Sequence, residues 1–292
     1  MIPKLVETYC VIENLTRKID NLLKRSNAGR KSKLSRAEFL MISIIKQHLG
    51  IKTNKSLYNL IKDYGQKDFG PLPSYQQFCL GLESNLHYLA IINFVLLEIN
   101  SQKKADFFII DSTSIPICKN AYRSRSKLGK GIATSGKNMN GWYFGFKLHV
   151  VINNNMDITA FKFTGGSTSD IAALDADLIR NIIGYLVGDK GYISQKKAQE
   201  LRKLGVKLIT RPRKNMKKLP ATKKVLKMIA RRQVIETTFS VLKSKFSLLY
   251  QHARSLQSFF SQMFSTILTY NLYRNSVDYY LKNTSLGSSA IS

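Results

Sequence analysis

The sequence has few acidic residues. It carries 18 Asp and Glu against 46 Lys and Arg, which gives a formal net charge of +28 over 292 residues. A chain with this excess of positive charge repels itself unless it binds a polyanion. Nucleic acid is the favoured partner, because contacts between many basic side chains and phosphates release counterions. The alternatives are an anionic membrane surface and a basic soluble protein with no such partner.

Cysteine is also scarce. Cys10, Cys79 and Cys118 lie far apart and form no C-x-x-C pair, so neither a zinc site nor a disulfide framework is indicated. The most apolar stretch, residues 89–97, is too short to span a bilayer, and no signal-type apolar core follows the first residues. These absences predict a cytoplasmic protein without a membrane partner, in a reducing compartment.

Residues 1–104 carry apolar side chains at helical spacing. Ser35 and Ser74 are each followed three positions later by Glu or Gln, a capping-box pattern that predicts a helix start. We therefore predict an all-α N-terminal domain. One interpretation is a helix-turn-helix that places residues 75–77 in a DNA groove. The other is a helical bundle that only supports the next domain.

Three carboxylates occur in unusual settings. Asp111 ends the apolar run 107–110, which predicts a buried central strand, and a lone carboxylate there is costly to desolvate without a partner. Asp189 ends a second apolar run, and Glu236 lies in a predicted helix that is otherwise basic and apolar. These acids could converge as oxygen ligands of a divalent metal ion. Taken singly, each is more typical of a turn or a surface salt bridge.

The order of elements after residue 105 predicts a mixed sheet. A first strand is followed by a hairpin over residues 142–164, a helix that opens at Asp170, and two strands that alternate with helices. We predict a mixed five-stranded sheet flanked by helices, with Asp111 and Asp189 at one of its edges. Asp170 could steady the site or cap its helix, and we favour the cap. His149 could be an extra ligand or a proton carrier, but a histidine in a strand is more often structural, so we leave it out of the catalytic set.

Basic segments without any acid surround these elements. Residues 119–140 are rich in Gly, Ser and Lys, which predicts a mobile surface loop that can order on phosphates. Residues 211–232 form a second basic run that leads into the helix of Glu236. On a continuous helix, Arg232, Glu236 and Lys243 would lie close to one face.

Four motifs carry a family resemblance. They are Asp111 after an apolar strand, Gly145-Phe146-Lys147-Leu148-His149, Gly188-Asp189-Lys190-Gly191-Tyr192, and Arg232-x3-Glu236-x6-Lys243. Together and in this order they resemble the DDE transposases of bacterial insertion sequences. The resemblance implies an RNase H-like catalytic domain, which we place at residues 105–282, before a flexible tail over residues 283–292.

The resemblance also implies the roles of individual residues. Asp111, Asp189 and Glu236 would be the catalytic triad and would bind two Mg²⁺ or Mn²⁺ ions. Arg232 and Lys243 would contact the DNA backbone near the cut. The other candidate DNA-binding residues are Lys147, Lys190, Arg211, Arg213 and Lys214.

These observations predict a transposase. It would cleave phosphodiester bonds at insertion-sequence ends and transfer the 3′ ends into target DNA, both of them double-stranded. It would act in the bacterial cytoplasm, associated with the nucleoid when bound, and as a homodimer because two DNA ends must be brought together. The alternatives are a metal-dependent nuclease that cuts without joining and an inactive DNA-binding protein. The three acids favour an enzyme, because DNA binding alone needs none of them.

Overall fold

The computed structural model of the chain describes residues 2–23, 31–65, 67–213, 216, 222–249, 253–275 and 280. The chain forms two compact units, the first comprising Met1–Ile99 with Val241–Ser292 and the second comprising Asn100–Ser240. This division differs from the predicted domains, because the segment after Ser240 groups with the N-terminal helices. The predicted domain boundaries stay a prediction, and the predicted tail over residues 283–292 lies outside the described residues.

Eleven α-helices are present in the described part of the chain. They are α1 (Ile2–Leu22), α2 (Arg36–His48), α3 (Asn54–Tyr64), α4 (Tyr75–Ser84), α5 (Leu86–Ser101), α6 (Asp170–Ala173), α7 (Ala176–Ile179), α8 (Gln195–Lys203), α9 (Lys223–Arg231), α10 (Val234–Ser240) and α11 (Leu256–Arg274). The strands are β1 (Phe108–Lys119), β2 (Thr134–Asn138), β3 (Gly141–Asn153), β4 (Ile158–Gly165), β5 (Gly184–Gly188) and β6 (Val206–Thr210).

The first unit is helical, as predicted for the N-terminal region. The Ser35 hydroxyl accepts a hydrogen bond from the Glu38 N–H at 3.2 Å, and the Ser35 N–H donates to Glu38 Oε2 at 2.6 Å. This reciprocal pair is the capping box predicted at the start of α2. At α4 the Ser74 hydroxyl accepts from the Gln77 N–H at 3.4 Å, so that predicted helix start is confirmed as well.

An apolar core holds the first unit together. Leu268 and Leu272 of α11 are buried with side chains of α1, α2 and α5, among them Ile12, Leu40 and Ile92. Removal of this apolar surface from water stabilises the packing of α11 onto the other helices.

No single helix among the described residues is long and apolar enough to cross a bilayer, although the bent pair α4 and α5 would qualify by length and composition alone.

The second unit is built on a mixed sheet. Its main strand order is β4-β3-β1-β5-β6. β3 pairs antiparallel with β1 and β4, whereas β1, β5 and β6 pair parallel to one another. This confirms the predicted RNase H-like mixed sheet flanked by helices.

A sixth strand corrects the prediction of a mobile loop over residues 119–140. β1 continues to Lys119, and β2 pairs antiparallel with β3. Gly136 of β2 reflects close packing, because a Cβ atom there would lie 2.5 Å from the Gly166 carbonyl oxygen. A small residue therefore marks a crowded strand pair at this position, and not only chain mobility.

Two helical predictions in this unit are also corrected. The helix that opens at Asp170 is split into α6 and α7, and the side chain of Asp175 accepts from the Leu178 N–H at 3.1 Å to start α7. The cap of α6 is Ser169, whose hydroxyl accepts from the Ala172 N–H at 3.3 Å. The carboxylate of Asp170 is thus available for contacts outside its own helix.

The helix predicted to carry Arg232, Glu236 and Lys243 on one face is interrupted. α9 ends at Arg231 and α10 begins at Val234, and residues 241–245 are π-helical. The Glu236 N–H donates to the Gln233 carbonyl at 3.0 Å, which is the tighter i→i+3 pattern of a 3₁₀ turn. The prediction of one continuous helical face is therefore wrong, although Arg232 Nη2 does lie 3.8 Å from Glu236 Oε1. Arg232 lies at the turn between two helices.

Candidate active site

The sheet register brings Asp111 and Asp189 to the same place. Ile109 of β1 is the parallel partner of Val187 of β5. Asp111 and Asp189 each follow two residues later, and residues two apart in a strand point to the same face. Asp111 was predicted to end its strand, but β1 runs on to Lys119. Asp111 lies at the point where β1 continues past the end of β5.

The guanidinium of Arg232 contacts all three predicted carboxylates. Its Nη1 lies 3.3 Å from Asp111 Oδ2, and its Nη2 lies 3.8 Å from Asp189 Oδ1 and 3.8 Å from Glu236 Oε1. Three acids from β1, the end of β5 and α10 therefore converge on one cationic group. Asp111 is the least exposed of them, with 23% of its side chain accessible against 50% for Asp189 and 64% for Glu236.

The environment of Asp111 disfavours its negative charge. Burial raises the pKa of this carboxyl to about 6, and the nearby charges of Asp189 and Asp170 add to the effect. The Ser112 N–H, which donates to Asp111 Oδ1 at 2.8 Å, and the Arg232 guanidinium both act to lower the pKa. A perturbed carboxyl beside two other acids is a feature of functional sites, and added positive charge would favour its ionised form.

The donor set fits a divalent cation in charge and chemistry. Three carboxylates supply oxygen ligands, which Mg²⁺ and Mn²⁺ prefer over the nitrogen and sulfur ligands of zinc sites. They already surround a positive group, the Arg232 guanidinium. Among the described residues, however, no three acidic, His or Cys side chains lie close enough together to hold a metal ion as they stand.

A fourth acid, Asp170, lies beside this group and was not assigned to it from the sequence. Its Oδ1 accepts a hydrogen bond from the Ser112 hydroxyl at 2.8 Å and from Lys147 Nζ at 3.3 Å. Since the Ser112 N–H donates to Asp111, Ser112 links the two carboxylates. The sequence signal for this role was Ser169: when a Ser caps a helix, the carboxylate of the Asp that follows it is not needed for capping and can form other contacts.

His149 lies next to Asp170 and is fully buried. Its Nδ1 is 3.9 Å from Asp170 Oδ1, and its Nε2 shares a hydrogen bond of 2.9 Å with Thr164 Oγ1. Burial lowers the pKa of His149 to about 4, although the charge of Asp170 opposes this. The imidazole is therefore neutral at pH 7 and agrees with the structural role predicted for it.

The Gly-Asp-Lys-Gly-Tyr motif is a packing unit as well as the source of Asp189. A Cβ atom at Gly188 would lie 3.0 Å from the ring of Tyr192, and one at Gly191 would lie 2.9 Å from Asp170 Oδ2. Tyr192 is fully buried under the strand end, and burial with the charges of Asp170 and Asp111 raises its pKa. The phenol therefore stays protonated, and its ring fixes the backbone that carries Asp189.

The predicted DNA-binding cations occupy different environments. Lys190, Arg211 and Arg213 are exposed. Lys147 is engaged within the second unit, where its Nζ donates to the Thr168 carbonyl at 2.8 Å and to Asp170. Lys243 lies in the π-helical turn of the first unit, and Lys214 lies outside the described residues. The DNA-binding roles of these residues stay predictions.

Comparison with known proteins identifies the family. A family model described as "Transposase DDE domain" matches residues 101–256, which is more than half of the chain. The structure is similar to a cryo-EM structure of the piggyBac transposase synaptic complex with hairpin DNA, with a TM-score of 0.50 and 8% sequence identity over 98% of this chain and 74% of that chain. At this identity the likeness concerns the fold alone. No curated protein sequence matches the chain. The chain belongs to the family of DDE transposases, and it is an enzyme of that type.

Proposed function

We propose that the protein cuts phosphodiester bonds at the ends of an insertion sequence and transfers the 3′ ends into target DNA. In this proposal Asp111, Asp189 and Glu236 hold two Mg²⁺ or Mn²⁺ ions. The observation that carries the proposal is the convergence of these carboxylates on the single guanidinium of Arg232, from three separate elements of the second unit. The membership of the DDE transposase family supports the same assignment.

The proposed chemistry is attack on phosphorus by water and then by the freed 3′-OH. When bound, the ions would supply Lewis-acid activation of the attacking oxygen and stabilise the leaving oxygen. The three neighbouring carboxylates repel one another, which favours capture of cations. Asp111 contributes the ligand that is best protected from water.

Arg232 would change its partner in the loaded site. Its guanidinium neutralises the three carboxylates in their metal-free form. Once cations neutralise them, the guanidinium can turn to a phosphate of the DNA, for which its planar group of donors is well suited. The exposed cations Lys190, Arg211 and Arg213 would add backbone contacts that do not depend on base sequence.

Double-stranded DNA is the proposed substrate. The net charge of +28 supports a polyanionic partner, and the piggyBac structure of similar fold was determined with hairpin DNA. Joining two transposon ends to one target requires two active sites, so we propose a homodimer in the DNA complex. The proposal places the enzyme on DNA in the bacterial cytoplasm.

A strand-transfer assay with the full chain tests the proposal. Duplexes carrying the inverted repeats that flank the gene are incubated with Mg²⁺, with Mn²⁺ or with a chelator. Joined products are expected with either metal and no products with the chelator. Products that are cut but never joined would instead indicate a nuclease, and retention of intact DNA alone would indicate an inactive DNA-binding protein.

A matched pair of variants tests the assigned triad. Glu236→Gln is expected to abolish cutting and to retain DNA binding, because it removes one ligand charge from an exposed side chain. Glu200→Gln is the control, since Glu200 is an exposed glutamate of α8 outside the site. Its Oε2 forms an ion pair with Lys197 Nζ at 2.8 Å. Full cutting activity in the Glu236→Gln variant would refute the assignment.

A further inference from the structure

Three helices of the first unit begin around one cleft of about 810 Å³. The lining includes Asn54 at the start of α3, Tyr75 at the start of α4, and Arg254 just before α11. Helix N-termini present backbone N–H groups and the positive end of the helix dipole, which favours anions. Three such ends at one cleft give it a positive potential before any side chain is considered.

A buried lysine also lines this cleft. Lys46 of α2 is 5% exposed, and its Nζ donates to Asn54 Oδ1 at 2.6 Å. An ammonium group has three donors, and within the described part of the chain Asn54 is the one acceptor it meets. A buried cation without a counter-ion is costly, so an anion entering the cleft would satisfy both its charge and its remaining donors.

The charged side chains around Lys46 reinforce the selection of an anion. Lys52 and Arg254 are exposed and line the same cleft. The acid among the described lining residues is Glu83, and its Oε2 accepts from the hydroxyl of Ser255, the cap of α11, at 3.0 Å. Three cations and one engaged carboxylate leave the lining positive.

We propose that this cleft binds a phosphate group of the DNA backbone. Lys46 would donate to the phosphate oxygens from the floor of the cleft, and Arg254 would bind them from its rim. The inference rests on the proposed function only for the source of the phosphate, which is the DNA substrate. It assigns to the first unit a DNA contact that lies apart from the carboxylates of the second.

The mouth of the cleft favours a nucleic acid over a free phosphate ion. Tyr75 is 38% exposed there, and Lys55 Nζ lies 5.0 Å from the centre of its ring. Tyr58 packs against Tyr75 with ring centres 5.5 Å apart. Interleaved aromatic and basic side chains are typical of surfaces that follow a nucleic-acid backbone. The volume also suits a nucleotide-sized group better than a single small ion.

The test measures duplex binding by the full chain across a salt series, without metal. The variants are Lys46→Met and Arg254→Gln, and the control is Lys62→Gln, an exposed lysine of α3 that does not line the cleft. We expect the control to match the wild type. Each cleft variant should bind roughly tenfold more weakly, and its plot of log affinity against log salt should be shallower by about 0.9 per lost contact.

Two further measurements separate the possible outcomes: circular dichroism, which checks the fold of the Lys46→Met variant, and thermal stabilisation by inorganic phosphate. The Arg254→Gln variant keeps the test valid if Lys46→Met does not fold, because Arg254 is exposed. Equal affinities and slopes in the cleft variants and the Lys62→Gln control would overturn the inference. A second result would also overturn it: inorganic phosphate stabilises the wild type against heat, the Lys46→Met variant loses this stabilisation, and its duplex binding is unchanged. The ligand of the cleft would then be free phosphate and not DNA.

The outcome is distinguishable from failure of the proposed function. A wild-type chain that binds the duplex through the cleft and does not cut it with Mg²⁺ would count against the proposed chemistry and support this inference. If the wild type cuts and joins DNA and both cleft variants bind the duplex with unaltered affinity, the proposed chemistry would be supported and this inference would be refuted.

The pH dependence of binding offers an independent readout. Burial lowers the pKa of Lys46 to about 8, so about nine-tenths of it is protonated at pH 7 and about one-tenth at pH 9 in the free protein. Duplex binding should therefore weaken between pH 7 and pH 9 in the wild type and change less in the Lys46→Met variant. Equal pH profiles would contradict the inference. The other titratable groups that line the cleft, which are shared by both proteins, are Lys52, Tyr75, Cys79, Glu83 and Arg254.

Discussion

Replacing Asp111 by Asn should make the metal-free protein more stable at pH 8 and leave its stability nearly unchanged at pH 4. The pKa of Asp111 rises from 3.8 to about 6 in the folded chain, mainly because the carboxyl is buried. At about 1.4 kcal/mol per pH unit, ionised Asp111 destabilises the fold by about 3 kcal/mol. Asparagine has nearly the same shape as aspartate and carries no charge, and its side-chain oxygen can still accept the hydrogen bond from the Ser112 N–H.

The sign of the effect follows from the two pKa values. Below pH 3.8 the carboxyl is protonated in both the folded and the unfolded chain, so its charge has no influence on stability. Stability is lost as the pH rises from 3.8 to about 6, because the unfolded chain then releases a proton that the folded chain still holds, and the loss is complete above the folded pKa. The advantage of the Asp111→Asn variant should therefore grow between pH 4 and pH 6 and reach a plateau above that.

Urea unfolding monitored by tryptophan fluorescence is the assay. The chain has one Trp, Trp142, and it lies in β3 of the same unit as Asp111. The control is Asp106→Asn, which changes an exposed acid just before β1. Equal or lower stability of the Asp111→Asn variant at pH 8 would refute the reasoning. Added Mg²⁺ should stabilise the wild type and have a smaller effect on the variant, since it has lost one ligand charge.

Three further predictions concern the surroundings of the triad. Asp170→Asn should lower the rate of cutting by roughly tenfold with little change in DNA affinity, because Asp170 acts through Ser112. In a double variant, the effects of Asp170→Asn and Ser112→Ala on the cutting rate should be less than additive. Simple additivity would show that the two residues act independently. Gly188→Ala should destabilise the second unit by about 1–3 kcal/mol in urea unfolding, because the new Cβ would press on Tyr192; an unchanged midpoint would contradict this. Arg232→Gln should strengthen Mg²⁺ binding in calorimetry while cutting decreases, since a competing cation is lost from the carboxylates along with a phosphate ligand. Weaker Mg²⁺ binding in that variant would show that Arg232 supports the metal site directly.

The strands and their order could be predicted from local patterns. Runs of large apolar residues such as residues 107–110 occur where a strand is buried on both faces, and the alternation of strands and helices fixes parallel pairing. The five predicted strands are all present, including the hairpin of β3 and β4. The capping patterns at Ser35 and Ser74 were sufficient for the helix starts, because capping depends on neighbours three residues away.

Features that depend on distant neighbours could not be read from the sequence. The sequence predicts a loop at β2 because residues 119–140 are rich in Gly, Ser and Lys, and the close contacts around the one glycine of β2, Gly136, come from residues distant in the sequence. Asp170 resembled a helix cap because its partners, Ser112 and Lys147, lie far from it along the chain. Grouping of the C-terminal helix with the N-terminal ones likewise depends on long-range burial of residues such as Leu268.

The geometry around Arg232 shows how three neighbouring acids, of which Asp111 is the least exposed, are accommodated in the metal-free fold. Its contacts with the three carboxylates are 3.3, 3.8 and 3.8 Å long, and good charge-assisted hydrogen bonds are shorter, at about 2.7–2.9 Å. The guanidinium thus lowers the electrostatic repulsion through one long hydrogen bond to Asp111 and two looser ion pairs, to Asp189 and Glu236. In the proposed function, Asp111, Asp189 and Glu236 would hold the divalent cations, and the guanidinium, no longer needed to balance these acids, would bind a phosphate of the DNA. In that proposal one side chain would balance the acids of the empty site and bind phosphate in the loaded one, and Arg232 is placed for both roles at the turn between α9 and α10, four residues before Glu236.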